Sequence, residues 1–289
     1  MKSTYRITHL LFAGLVCAIL WGCQPSAEDK ANALLDEAKG MVDDGQWRQA
    51  RILLDSIHST YPKQVDQRRV AKALGDSITY LESRRDVVYY DSILQPLLPQ
   101  ADQLLKAFKY EKDERYEDHG RYVHRLLRTN SNTSRCFLQA YVQDDNVAIV
   151  KSYYYGSSAM GQQSIGLSAG GEEARFSGSN HAFQAEGWHE IMTIENDDAL
   201  QLLNFVSTHM SERVRVNGVG DKPHKTWVYY LSDTEKQALN QTYQLGVLMR
   251  DIGKLEHIID VASTKIQRYE SKYRNVSDTL SASDVKKGV

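Results

Sequence analysis

The chain has 289 residues, 42% of them hydrophobic and 25% charged, with a formal net charge of −2 at pH 7. That balance is ordinary for a globular chain, and so mild a charge leaves no basic footprint for nucleic acid. The length suits one large domain or two small ones.

Lys2 and Arg6 give a short basic start, and an apolar run follows from Leu10 to Trp21, broken by Gly14. This is the pattern of a signal-peptide core, and it falls short of the roughly 20 apolar residues a spanning helix needs. The polar stretch Gln24–Asp29 ends it. Leu20-Trp21-Gly22-Cys23 resembles the lipobox of bacterial lipoproteins, Trp21 being bulky for its place. The resemblance implies that residues 1–22 are removed and that Cys23 becomes the first residue of the mature chain, carrying palmitate-type acyl chains. At about 0.8 kcal/mol per buried methylene, two or three such chains hold a protein at a membrane. The alternative is an ordinary secreted protein in which Cys23 is incidental. Cys17 sits inside the hydrophobic core as an apolar residue. Loss of Lys2 and Arg6 would leave a net charge of −4, and Cys136 would be the one unmodified thiol. That excludes an intrachain disulfide and a cysteine zinc site.

Ser26 to Val42 reads as a helix, with Ser26 as its cap and Ala31, Leu34, Leu35, Ala38, Met41 and Val42 on one stripe. A second helix carries Trp47, Ala50, Leu53, Leu54 and Ile57 and ends at Tyr61-Pro62. Ala38, Gly45, Trp47, Ala50, Leu54, Ile57 and Pro62 have the spacing of the second half of a tetratricopeptide repeat. One copy cannot make a solenoid, so the reading is a single hairpin packed on something else. Val65 to Leu94 reads as a longer helix, and Gln100 to Lys109 as a short one after Pro96 and Pro99.

From about Tyr110 the apolar period shortens toward two. Tyr122–Leu127, Cys136–Val142, Val147–Tyr155, Gln163–Leu167, Ala174–Phe176, Trp188–Ile194, Arg213–Val216 and Thr226–Leu231 read as strands, with a turn at Asp144–Asn146 and a crossing helix over Asp198–Met210. Ser232-Asp233-Thr234-Glu235 is a capping box for a long final helix. Leu245, Met249, Ile252, Leu255, Ile259, Ala262, Ile266, Tyr269 and Tyr273 recur every three or four residues along it, as in a coiled-coil seam. The polar stretch 275–289 reads as a disordered tail.

The lipobox, "ARILLDSIHSTYP", "YYDSIL", "TSRCFLQAYV" and the run from Arg213 to Ile252 together resemble a group of uncharacterised lipoproteins of Gram-negative cell envelopes. The resemblance spans roughly residues 20–260 and brings no known activity and no catalytic residue. It implies a location in the cell envelope, at the outer membrane, with the periplasmic or surface face undecided.

Gly166-Leu167-Ser168-Ala169-Gly170 matches the G-x-S-x-G nucleophile elbow, with His181, His189, Asp197 and Asp198 available by type. No helix follows Ser168 and no parallel-sheet pattern surrounds it, so a Gly-Ser turn between antiparallel strands is the plainer reading. "GSSAMGQQSIG" lacks the Gly-Lys-Ser/Thr ending of a phosphate loop. His119 and His124 flank Gly120, and the other histidines are dispersed, so no metal site or cofactor is expected. There are 17 tyrosines. Tyr153-Tyr154-Tyr155 on a strand puts two rings on one face, and Tyr153, Tyr155 and Trp188 are candidates for stacking on a glycan or peptide. Tyrosine is equally at home in a half-buried sheet.

The expected fold is α+β, in five parts. Residues 1–22 are a signal peptide. Residues 23–109 are helical, with the tetratricopeptide-like hairpin. Residues 110–231 form a sandwich-like antiparallel β domain. Residues 232–274 are a long helix packing on the N-terminal helices, and 275–289 are a tail. The expected function is non-enzymatic: a lipid-anchored protein that binds an envelope protein or an extracellular glycan or peptide. The alternatives are a hydrolase built on Ser168 and a structural spacer in an envelope complex.

Overall fold

A computed structural model describes residues 25–127, 134–221 and 225–285, and the side chains as far as Tyr273. The chain is α+β, with helices and two antiparallel sheets. It divides into two compact units, residues 1–88 with 260–289 and residues 89–259. No described helix is long and apolar enough to cross a membrane.

The first unit is helical. Helix α1 (Ala27–Asp43) starts in a capping box: the Asp29 amide donates to Ser26 Oγ at 3.0 Å and the Ser26 amide donates to Asp29 at 3.0 Å. It ends at Gly45, whose φ of +74° favours glycine. The Gly45 amide donates to Val42 O and the Gln46 amide to Met41 O, the two bonds of a Schellman cap. Helix α2 (Trp47–Thr60) folds back, and the fully buried Ala38 and Ala50 let the two helices approach closely. Leu35, Leu54 and Ile57 complete that core with Ala71 and Ile78 of helix α3 (Val65–Leu94). The final helix, α6 (Asp233–Val285), runs antiparallel to α3 in this unit. Tyr269 stacks on Tyr80 at 4.6 Å and shares a 2.9 Å hydrogen bond with Ser77, while Tyr273 donates to Asp76. The C-terminal helix thus packs on an N-terminal helix. It continues to Val285, past the end expected at Tyr273, because no proline or glycine interrupts residues 274–285.

Among its described residues the second unit holds ten strands. The six-stranded sheet has the order β1-β2-β3-β4-β8-β7: β1 (Phe108–Glu111), β2 (Arg121–His124), β3 (Phe137–Gln143), β4 (Ala148–Gly156), β7 (Ser179–Gln184) and β8 (Trp188–Glu195). The four-stranded sheet has the order β10-β9-β5-β6: β5 (Ser164–Ala169), β6 (Glu172–Phe176), β9 (Arg215–Val219) and β10 (Thr226–Tyr230). The Asp144–Asn146 turn joins β3 to β4, and Gly170-Gly171, both with positive φ, make the tight β5–β6 hairpin.

One core lies between the sheets and two helices. Leu138, Ala140, Val150, Met192 and Ile194 enter it from the larger sheet, and Ile165, Leu167, Val216 and Trp227 from the smaller. Leu202, Leu203 and Val206 of helix α5 (Asn196–Thr208) and Leu239 of α6 close it.

Three more elements differ from the sequence reading. The expected strand Tyr122–Leu127 ends at His124, and Arg125–Leu127 form a 3-10 turn whose Arg125 amide donates to Ala107 O. The short helix, α4 (Leu98–Leu105), stops before Phe108, which begins β1 instead of prolonging the helix. Strand β7 lies in a stretch that the apolar pattern leaves blank. The compact units also divide inside the two long helices. Leu248, Ile252, Leu255 and Ile259 of α6 pack with Leu94, Leu97, Leu98 and Ala101, so that part of the seam belongs with the strands.

Candidate functional site

Alternation along the six-stranded sheet sorts its side chains onto two faces. Leu138, Val150, Ser152, Glu190, Met192 and Ile194 point inward. Phe137, Tyr153, Tyr155, Ile191, His189 and Phe183 share the outer face. The two ends of the tyrosine triplet, Tyr153 and Tyr155, are therefore neighbours on one surface. Trp188, opposite Gly156, lies on the inner side with Tyr154, so the structure does not bring it to the other two candidates.

The outer face is built from rings. Tyr153 stacks on Phe137 at 4.4 Å with the planes 10° apart, and its hydroxyl donates to Gln139 at 3.1 Å. Tyr155 meets His189 at 5.0 Å, and His189 stacks on Phe183 at 4.9 Å. Cations join them: Arg135 over Phe137, and Arg121 and Lys151 over Tyr141, all at 5.5 to 5.7 Å. Burial raises the hydroxyl pKa of Tyr153 and Tyr141, keeping both neutral as donors. Tyr153, Tyr155 and His189 are half-buried, and Phe183 is 42% exposed. The result is a preorganised aromatic surface open to a stacking partner.

The inner face holds a buried charge. Glu190 is 1% exposed and, among the described residues, makes no ion pair; its partners are hydrogen-bond donors. Burial alone would raise its pKa. The amides of Gln162, Gly161 and Met160 and the Asn180 side chain, at 2.6 to 2.9 Å, outweigh burial and hold the carboxyl below its ordinary range. The carboxylate thereby ties the loop between β4 and β5 to β8 and β7. Gln162 extends the network, donating to Ser152 at 2.7 Å and accepting from the Trp227 indole at 3.2 Å. Three consecutive amides aimed at one carboxylate are fully used, so this is an internal fastening rather than a free anion site.

Ser168 does not sit in a turn. It lies within β5, hydrogen-bonded on both sides, opposite Glu173 and Arg215, while Ile165, Leu167 and Ala169 enter the core. The turn comes two residues later, at Gly170-Gly171. A nucleophile elbow needs a sharp strand-to-helix bend, which a mid-strand serine lacks. Ser168 faces away from the core on the smaller sheet, whereas His181 and His189 face away from it on the larger one, so the structure does not assemble them.

The other candidates also separate. His124 is 2% exposed, meets Gln241 at 2.6 Å and has its pKa lowered by burial. His119 is exposed and meets Asp144 and Asp145. Asp144 there accepts from Tyr110, the Gly120 amide and His119, bonds that lower its own pKa and push Tyr110 up to about 12. These contacts pin β1 and β2 to the β3–β4 turn. Cys136 is half-buried, its sulfur 3.7 Å from Tyr155 O, and burial raises its pKa, so it rests as a thiol. Cys23 lies outside the described residues.

Comparison with known proteins returns no matching family model, no matching curated protein and no matching solved structure.

Proposed function

We propose that the protein is a lipid-anchored protein of the cell envelope, tethered through acylated Cys23, and that it works by binding rather than by catalysis. The observation that carries the binding reading is the ring surface of the larger sheet, where Tyr153 stacks on the buried Phe137 and Tyr155, His189 and Phe183 lie in a partly exposed row. Aromatic faces held rigid lose little entropy on contact, which suits recognition of a glycan or a peptide by stacking. The lipobox resemblance supplies the tether, and a tether leaves the folded mass in water beside the bilayer.

Two experiments test it. Metabolic labelling with a clickable palmitate marks the wild type and not Cys23→Ser, which also stays unprocessed; equal label on both overturns the anchor. For binding, the full-length protein in nanodiscs is screened against immobilised glycans and linear peptides, beside the variant Tyr153→Ser, Tyr155→Ser. The expected result is a binder whose signal falls at least tenfold in a variant that still folds. If no probe binds, or the substitutions leave binding intact, the ring surface is not the site, and a spacer role takes its place.

A further inference from the structure

Among the described residues four strands close the edges of the two sheets; two of them carry charged side chains and a third has an arginine over its last ring. Strand β1 carries Lys109 and Glu111 in a 3.4 Å ion pair, with Arg121 also facing Glu111, and α4 packs beside it. Strand β6 exposes Glu172, Glu173 and Arg175. Strand β10 has no charge of its own, and the nearest one, the Arg213 guanidinium, lies over its last ring, Tyr230, at 3.7 Å. Charges on an edge are what keep a sheet from accepting another strand.

Strand β7 differs. Its residues, Ser-Asn-His-Ala-Phe-Gln, include no charge and no proline, and all six are exposed. It pairs on one side with β8 through Ser179–Thr193 to Gln184–Trp188 and, among the described residues, ends the sheet on the other. The strand is nonetheless held firmly, because Asn180 donates to the buried Glu190 at 2.9 Å and Phe183 stacks on His189. Alternate backbone N–H and C=O groups of an edge strand face outward without a ladder partner. Their complement is another backbone in extended form, which a glycan does not offer.

We propose that the open edge of β7, residues Ser179–Gln184, takes an extended polypeptide segment as a further strand of the sheet, with Phe183 and His181 meeting the segment's alternate side chains. Main-chain bonds then supply affinity and the flanking rings supply preference for an apolar or aromatic residue. This inference rests on the binding reading above and narrows it to a peptide at one edge.

The test uses full-length protein in nanodiscs and a displayed library of linear heptapeptides. Selected peptides are resynthesised with backbone N-methyl groups on odd or on even residues. Ladder pairing requires that one N-methyl series lose at least tenfold in affinity while the other binds as before, and that β7 amides gain hydrogen-exchange protection. Ser179→Lys, which gives β7 a guard like that of β1 on the face away from Glu190, should cost at least tenfold without lowering the melting temperature. Peptides whose affinity ignores N-methylation but falls with Tyr155→Ser overturn the edge and keep the ring surface. Peptides that protect β7 and ignore Tyr155→Ser keep the edge and overturn the ring surface. Failure to select any peptide overturns the edge, whatever glycans do.

Discussion

His189 and Glu190 are consecutive residues of one strand, and they live under different rules. His189 joins a row of partly exposed rings, stacked on Phe183 and tilted against Tyr155, each at the margin of solvent. Glu190 points the other way, into the core, where its charge survives because four donors converge on it. The outer face can lose a ring and leave its neighbours solvated. The inner face cannot lose the carboxylate without stranding three amides that have no other acceptor among the described residues. One sheet therefore separates adaptable recognition from rigid support at single-residue spacing.

The largest expected effect breaks that support. Glu190→Ala removes the common acceptor of Met160, Gly161 and Gln162 and frees Asn180, at a cost of about 3–5 kcal/mol. For a unit of this size each kcal/mol is worth roughly 2–4 °C, so the melting temperature should fall by about 6–20 °C in calorimetry. His189→Ala, one residue away, should cost no more than about 1 kcal/mol. Equal losses from the two would remove the contrast between the faces.

Acid should act on the same group. The folded Glu190 carboxyl titrates below its ordinary value of 4.5, so the folded state binds fewer protons than the unfolded chain in that range. Its contribution is fully present above the unfolded value and is lost as pH falls through the folded one. Urea midpoints measured from pH 7 to pH 3 should therefore drop. In Glu190→Gln they should start lower, because an amide nitrogen now faces amide donors, and should change less with pH. Parallel curves for the two proteins would place the acid-sensitive group elsewhere.

A smaller effect belongs to the outer face. Tyr153→Ala loses the stack on Phe137 and the bond to Gln139, and should cost about 1–2 kcal/mol. Phe137 is 2% exposed, so uncovering it should raise dye binding to the native protein. No change in either readout would mean that the rings do not support one another.

The parts of this fold that are legible in the sequence are those that bury an apolar stripe. Ala38, Gly45, Trp47, Ala50 and Ile57 announce the helical hairpin, and the runs through Phe137, Val150 and Met192 announce the central strands. Strand β7 is silent because none of its six side chains is buried, so hydrophobicity imposes no period on it. Strand β1 is masked because Phe108 continues the stripe of Leu104 and Leu105 at helical spacing. Of the site, the shared face of Tyr153 and Tyr155 follows from alternation alone. Trp188 misleads because it is aromatic but sits on the inward parity with Met192 and Ile194. That same parity marks Glu190: a charge in step with Trp188, Met192 and Ile194 has to be a buried one. The donors that receive it come from a loop nearly thirty residues upstream, and local sequence cannot supply them.

Ser168 offers the smallest effect. The five residues from Gly166 to Gly170 match an elbow by type, yet Ile165, Leu167 and Ala169 alternate into the core and keep Ser168 in a flat ladder between β6 and β9. A serine becomes a nucleophile when an adjacent base takes its proton, and the histidines proposed as partners lie on the far face of the other sheet. Its hydroxyl should behave as an ordinary alcohol. Ser168→Ala removes a half-buried hydroxyl facing Glu173 and Arg215 and should shift stability by no more than about 0.5 kcal/mol. A fluorophosphonate probe should leave the full-length protein unlabelled. Label that appears on the wild type and vanishes in Ser168→Ala would show an activated serine, and the binding reading would give way to the hydrolase.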